Sequence, residues 1–169
     1  MTNEIENTLD KREELCELLS GYSYEIHQKD NGEYHYLEEG DICITVQNMD
    51  GSKVMYLDLE EEFTLSFGAF HEHFGCFLMD YQQLTDEIKG ILANKVASAS
   101  IYCHYEEQLE WMGSCTIATD EVEHKSVEQI FSYVYRIREF RERLEKYGGE
   151  VRYEFWDSAH DKIMKIENW

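Results

Sequence analysis

Apolar residues along the chain switch between two periods, and each switch marks an element. Residues 3 to 19 set Ile5, Leu9, Cys16 and Leu19, with Leu15 and Leu18 beside them, on one side of a helix whose other side carries Glu6, Asp10, Glu13, Glu14 and Glu17. Gly21 closes it. From Tyr22 the period becomes two: Tyr22, Tyr24 and Ile26 alternate with polar residues, and Asp30-Asn31-Gly32 offers a turn into Tyr34 and Tyr36, which predicts a hairpin. Ile42, Ile44 and Val46 form the next run, returned through Asp50-Gly51 into Met55, Leu57 and Leu59, and Phe63, Leu65 and Phe67 make a fifth strand. Leu84, Ile88, Ile91 and Leu92 restore the helical period and predict a helix over residues 79 to 95. Ala99, Ile101, Cys103 and Tyr105, then Leu109, Trp111, Cys115 and Ile117, predict two further strands. The longest predicted helix opens at Ser126 with Gln129 three residues on, a capping box, and runs to Gly148-Gly149. Its buried stripe is Val127, Ile130, Val134, Ile137, Phe140 and Leu144. Val151, Tyr153 and Phe155 supply a late strand, and Ile163 and Ile166 a final short element.

Strands arrive in hairpin-linked runs instead of alternating singly with helices. The pattern therefore predicts an α+β fold, a mostly antiparallel sheet of about seven strands with three helices packed mainly on one face. No repeat, low-complexity tract or linker interrupts the order, so residues 1 to 169 read as a single domain.

Charge changes the picture more than composition does. The chain holds 36 Asp and Glu against 15 Lys and Arg, a net of −21, yet 43% of its residues are apolar and 14% aromatic, too many for a disordered acidic tail. Such a field repels nucleic acid and the anionic leaflet of a membrane, so direct binding to either is not expected. The excess is uneven: residues 1 to 86 carry 20 acids and 4 bases, a net of −16. An electronegative surface that steers a basic partner is one reading, and a solvated face that keeps the protein soluble is the other. Five widely spaced cysteines without a C-x-x-C pair suit reduced thiols, and neither a signal sequence nor a long apolar span is present, so a cytoplasmic protein is expected.

Candidate chemistry concentrates between residues 58 and 74. His71 and His73 form an H-x-H pair, able to give two ligands to zinc beside Glu72, but no spacing singles out a third, so neither metal nor cofactor is expected. Both histidines continue the parity of Phe63, Leu65 and Phe67, which would turn them toward the core. A bulge at Gly68-Ala69 would instead turn Phe70 and Phe74 inward and the histidines out, and the bulge is the expectation. Cys103 and His104 are neighbours on a strand and face opposite ways, which excludes a hydrogen-bonded nucleophile and base. Trp111, Trp156 and Trp169 are candidate interface anchors. Arg136, Arg138, Arg141, Arg143 and Lys146 interleave with Glu139, Glu142 and Glu145, as helix ion pairing requires.

The segment Glu61-Glu62-Phe63-Thr64-Leu65-Ser66-Phe67-Gly68-Ala69-Phe70-His71-Glu72-His73-Phe74 resembles a pattern in small acidic bacterial immunity-type proteins encoded beside polymorphic toxins. The resemblance covers residues 61 to 74 and implies a role in binding and neutralising a cognate toxin. Combined with the charge, the expectation is a non-enzymatic protein that occludes a basic partner, such as a nuclease-type toxin. Asp58, Glu60, Glu61, Glu62 and Glu72 would supply charge, and His71 and His73 neighbouring polar contacts. The alternatives are a metal-binding protein or metal-dependent hydrolase built on His71 and His73, and a structural module of unknown partner.

Overall fold

In the first ninety residues the period-two runs pair in the order in which they are written. β1 (Ser23–Gln28), β2 (Ile42–Gln47), β3 (Val54–Leu59), β4 (Phe63–Phe67) and β5 (Phe70–Phe74) form one antiparallel meander. The structure, a computed structural model, describes residues 4–167, so Asn3, where the first predicted helix begins, and Trp169 lie outside the described residues. Residues directly opposite in the register share a face of the sheet. One face stacks Ile44, Leu57 and Leu65 in a row, flanked by Ile42, Leu59, Phe63 and Phe74 on one side and Val46, Met55, Phe67 and Phe70 on the other, all but fully buried. A helix α2 (Leu78–Leu92) covers this face, its Tyr81 ring 5.5 Å from that of Phe63 and its Leu84 and Ile88 buried.

Three expectations for this region change. The first helix is short: Asn7 accepts a hydrogen bond from the Leu9 backbone N–H, starting a 3-10 turn over Thr8–Lys11 that leads into α1 (Arg12–Leu18). Ahead of it the chain is extended, with the Ile5 N–H bonded to the Cys76 carbonyl. Tyr34 and Tyr36 lie in the loop between β1 and β2, not in a strand. The Asp30 carboxylate gathers the Gly32 and Tyr34 N–H groups into a turn, and β1 pairs past them with β2. Gly68-Ala69 is a two-residue hairpin turn, not a bulge: Phe67 pairs with Phe70, and Gly68 sits at φ 61°, the conformation its first central position needs. Reversing the chain there pairs odd positions with even ones, so the histidines do point away from the core.

The second sheet has the order β7-β6-β8-β9, all antiparallel, from β6 (Val96–Tyr105), β7 (Gln108–Ala118), β8 (Gly149–Glu154) and β9 (Lys162–Ile166). Its core joins Ala97, Ala99, Ile101 and Cys103 of β6 with Val151 and Tyr153 of β8, and with Phe131, Val134 and Leu144 from the helical segment. That segment opens with the capping box at Ser126 but does not run straight. It breaks into α3 (Val127–Ile130), α4 (Ser132–Arg136) and α5 (Arg138–Tyr147) at Phe131 and Ile137. The run Phe131-Ser-Tyr-Val-Tyr135 consists of poor helix formers, and the break buries the Phe131 ring while leaving Ile137, assigned to the stripe, 46% exposed. The fold is α+β as expected, but among the described residues nine strands make two antiparallel sheets, not one of about seven, and five α-helices replace three. β5 is a strand where a bulge was expected, the short element at Ile163 and Ile166 is the strand β9, and the run at Tyr34 and Tyr36 is lost to a loop.

The chain, read above as one domain, gathers its contacts into two compact units, Met1–Gly90 and Ile91–Trp169. Among the described residues no helix is long and apolar enough to cross a membrane.

Candidate functional site

The acidic residues of the first unit come together through strand register. Ile42 pairs with Leu59, which places Asp41, just before β2, opposite Glu60, just after β3. Glu60, Glu61 and Glu62 form the connection between β3 and β4, and two side chains hold its backbone. The buried Thr8 hydroxyl donates to the Glu60 carbonyl at 2.6 Å, and the Cys76 thiol donates to the Glu61 carbonyl at 3.0 Å. Across from it the Glu38 N–H donates to the Asp41 carboxylate at 3.2 Å, which folds the end of the β1–β2 loop into a turn.

Between these two loops lies an open depression of about 650 Å³ lined by Tyr36, Glu38, Asp41, Glu60, Glu61 and Glu62. A second, shallower one of about 300 Å³ shares Asp41, Glu60 and Glu61 and extends the surface to Glu6 and Glu39. Seven carboxylates thus form a continuous face, and among the described residues no Lys or Arg lines either depression. Glu60 has its pKa raised, first by burial and then by the neighbouring charges of Asp58 and Asp41. The site holds its negative charge against repulsion, which is the state a cation relieves.

Tyr36 floors this face. Its hydroxyl turns down and donates to Asp58 at 2.9 Å, while the residue as a whole remains 48% exposed. Below it Cys43 is buried beside the same carboxylate. Burial, then the hydrogen bond to Asp58, push its thiol up to about 12, and burial raises the Tyr36 hydroxyl as well. Both shifts oppose ionisation, and the hydrogen bond from the Tyr36 hydroxyl to Asp58 holds the tyrosine in place beside the buried thiol. Tyr34 stacks on His27 at 4.1 Å between ring centroids, and His27 in turn bonds the Thr45 hydroxyl at 2.9 Å, so the loop is laid flat on the polar face of the sheet.

The residues expected from the sequence divide among three places. Glu60, Glu61 and Glu62 line the depression, and Asp58 supports it from below. His73 stands at its edge, on the polar face in one row with Cys43, Asp58 and Thr64; its Nδ1 lies 2.9 Å from Glu62 and 3.0 Å from the Thr64 hydroxyl. His71 shares that face, its ring 5.7 Å from that of His73. Glu72 does not join them. Paired with Leu65, it projects from the opposite face, where burial and then Glu87 raise its pKa. Among the described residues no group of three or more His, Cys, Asp or Glu could hold a metal ion. Glu38, Asp41 and Tyr36 are the residues that sequence reasoning did not single out; the register Ile42 to Leu59, extended one step, is the signal that finds Asp41.

The second unit has a depression of its own, about 490 Å³, lined by Tyr105, Glu110, Glu139, Glu142, Arg143, Lys146 and Tyr147. Arg143 bonds Glu110 with two nitrogens and lies 4.3 Å from the Tyr105 ring centroid, so its charge is answered from within. Four of the five free cysteines, Cys43, Cys76, Cys103 and Cys115, are raised above the usual thiol range by burial. No family model matches the chain, and neither a curated protein nor a solved structure matches it.

Proposed function

We propose that this protein is a non-enzymatic binding protein whose acidic face, built on the β1–β2 and β3–β4 loops of the first unit, docks and neutralises a basic protein. In the immunity-type reading the partner is a nuclease-type toxin, whose groove is basic because its substrate is anionic. The observation that carries this is the continuity of Glu6, Glu38, Glu39, Asp41, Glu60, Glu61 and Glu62 around the exposed Tyr36, with no Lys or Arg among the described lining residues. Aromatic rings and guanidinium or ammonium groups attract one another, and clustered charge of one sign accelerates association with its opposite. The five free thiols suit a reducing compartment such as the cytoplasm.

The test uses the product of the gene adjoining this one. Co-expression should relieve its toxicity, and association of the purified proteins should be fast at low ionic strength and slow steeply toward physiological salt. Binding that ignores salt, or toxicity that persists on co-expression, would sink the proposal. A pH dependence accompanies it: a bound cation lowers the pKa of Glu60, so complex formation releases a proton and the affinity falls as pH drops through the raised value in the free protein.

A further inference from the structure

Phe77, Leu78 and Met79 are 54%, 48% and 70% exposed, and among the described residues they are the only three consecutive large apolar side chains in that condition. Isolated exposed apolar residues are ordinary, but a contiguous group marks an interaction site. They stand at the start of α2, where the Tyr81 N–H donates to the Phe77 carbonyl. At about 100° per residue three successive side chains sweep about 200° around a helix end. They cannot form a stripe for a flat groove and instead make a projecting knob.

The surroundings of the knob are acidic. Glu4 bridges to Phe77, Asp80 follows within the same turn, and Glu62, Glu4 and Asp80 all act on the thiol of Cys76, the residue before Phe77. That thiol bonds the Glu61 carbonyl at 3.0 Å, so the chain entering the knob is tied to the loop that carries Glu60, Glu61 and Glu62. Interfaces of this anatomy divide the labour: the charged rim sets the encounter rate, and a few apolar anchors near it set the residence time.

Resting on the docking function proposed above, we infer that Phe77, Leu78 and Met79 are the anchor of that interface, inserting into an apolar pocket rimmed by Lys or Arg on the partner protein. A knob is matched by a concavity, and its acidic collar by cations around the mouth of that concavity.

A defined probe carries both features. Aminated β-cyclodextrin has an apolar cavity of one-ring size and a cationic rim, and neutral β-cyclodextrin has the cavity alone. Titrated into the full chain at low salt and followed by amide chemical shifts, the aminated ring should bind at residues 77 to 79 about tenfold more tightly than the neutral one. Phe77→Ser and Met79→Ser should each weaken both probes there, and Phe77→Tyr, which keeps a ring, should restore them. Replacing Glu60, Glu61 and Glu62 by Gln should narrow the difference between probes without abolishing the neutral one. Unchanged binding in Phe77→Ser, or equal affinity for the two rings, overturns the inference. So does a concentration-dependent dimer that Met79→Ser dissolves, since the knob would then be covered by a second copy of the chain. If the serine variants leave the probes and the adjoining gene's product unaffected while salt still slows that product's association, the anchor falls and the docking face stands; salt-independent association removes the docking face itself.

Discussion

The two units of this chain carry unequal surpluses of acid and treat them in opposite ways. Residues 1 to 90 contain 21 acids and 5 Lys or Arg, whereas residues 91 to 169 contain 15 and 10. In the second unit the cations are spent locally: Lys125 with Glu121, Arg138 with Glu142 and Arg141 with Glu145 four residues apart, Arg152 with Glu150 within β8, and Arg143 with Glu110 and Lys162 with Glu123 across elements. In the first, where five Lys or Arg face 21 acids, the described Lys or Arg pairs include Lys11 with Glu14 and Lys89 with Asp86. Exposed pairs add less than about 1 kcal/mol each to stability, so pairing matters here mainly for what it hides. A paired surface has little field a few ångströms away, while the loops at Glu38 to Asp41 and Glu60 to Glu62 project theirs into solvent.

The sharpest way to break this contrast removes equal charge from each side. One variant amidates Glu38, Asp41, Glu60, Glu61 and Glu62; the other replaces Glu121, Glu123, Glu142, Glu145 and Glu150 by Gln. Both change the net charge alike. The first should slow association with a lysine-rich peptide by about ten- to a thousandfold at low salt, and the second should leave the rate close to the parent's. Equal slowing, read by stopped-flow fluorescence, would mean that total charge matters and its placement does not.

A structural asymmetry gives the next largest effect. The β6–β7 hairpin turns on Glu106 and Glu107, both at positive φ, 47° and 64°. That conformation costs an ordinary side chain about 1–2 kcal/mol, and Asn-Gly is the preferred occupant. Glu106→Asn with Glu107→Gly should stabilise the second unit by about 1–2 kcal/mol in denaturant unfolding. In the first unit the comparable loop is held by a side chain and not strained. Thr8→Val removes the hydroxyl that bonds the Glu60 carbonyl and should cost about 1 kcal/mol, with faster amide exchange at Glu61 and Glu62. Unchanged exchange there would show that Thr8 does not position the acidic loop.

Much of this fold is legible in the amino-acid sequence. Strong alternation located β2, β3, β4, β6 and β7, and the period of 3.6 located α2, because in each the pattern spans enough residues to outweigh local accidents. Tyr34 and Tyr36 alternate as strand residues do, yet their partner was the loop-facing side of the sheet: Tyr34 stacks on His27 and Tyr36 bonds Asp58, contacts that alternation cannot distinguish from a ladder. The long helix was over-read because periodicity ignores propensity over Phe131 to Tyr135. At the site, Glu60, Glu61 and Glu62 were visible as a run. Asp41 was not, since only the pairing of Ile42 with Leu59 makes it their neighbour. Glu72 was grouped with His71 and His73 by sequence alone, and the pleat separates them.

Glu72 also supplies the finest test, because a carboxylate of the second unit responds to pH with the opposite sign. Burial and then Glu87 raise the pKa of Glu72 above the ordinary carboxylate range, whereas a hydrogen bond and the charge of Lys162 lower that of Glu123. A raised carboxyl carries a penalty that is fully present above its folded-state pKa and disappears as pH falls below the unfolded value. A lowered one contributes stability that is present above the unfolded value and is lost as pH falls through the folded one. Glu72→Gln should therefore stabilise the protein at neutral pH, by no more than a few tenths of a kcal/mol once solvent screening is allowed for, and the gain should vanish in acid. Glu123→Gln should destabilise slightly at neutral pH and be silent in acid. Urea midpoints of both variants at neutral and acidic pH decide the matter: two differences of opposite sign that converge on acidification keep the contrast between the units. Two differences of the same sign would show that the acids of the first unit are no less well accommodated than those of the second.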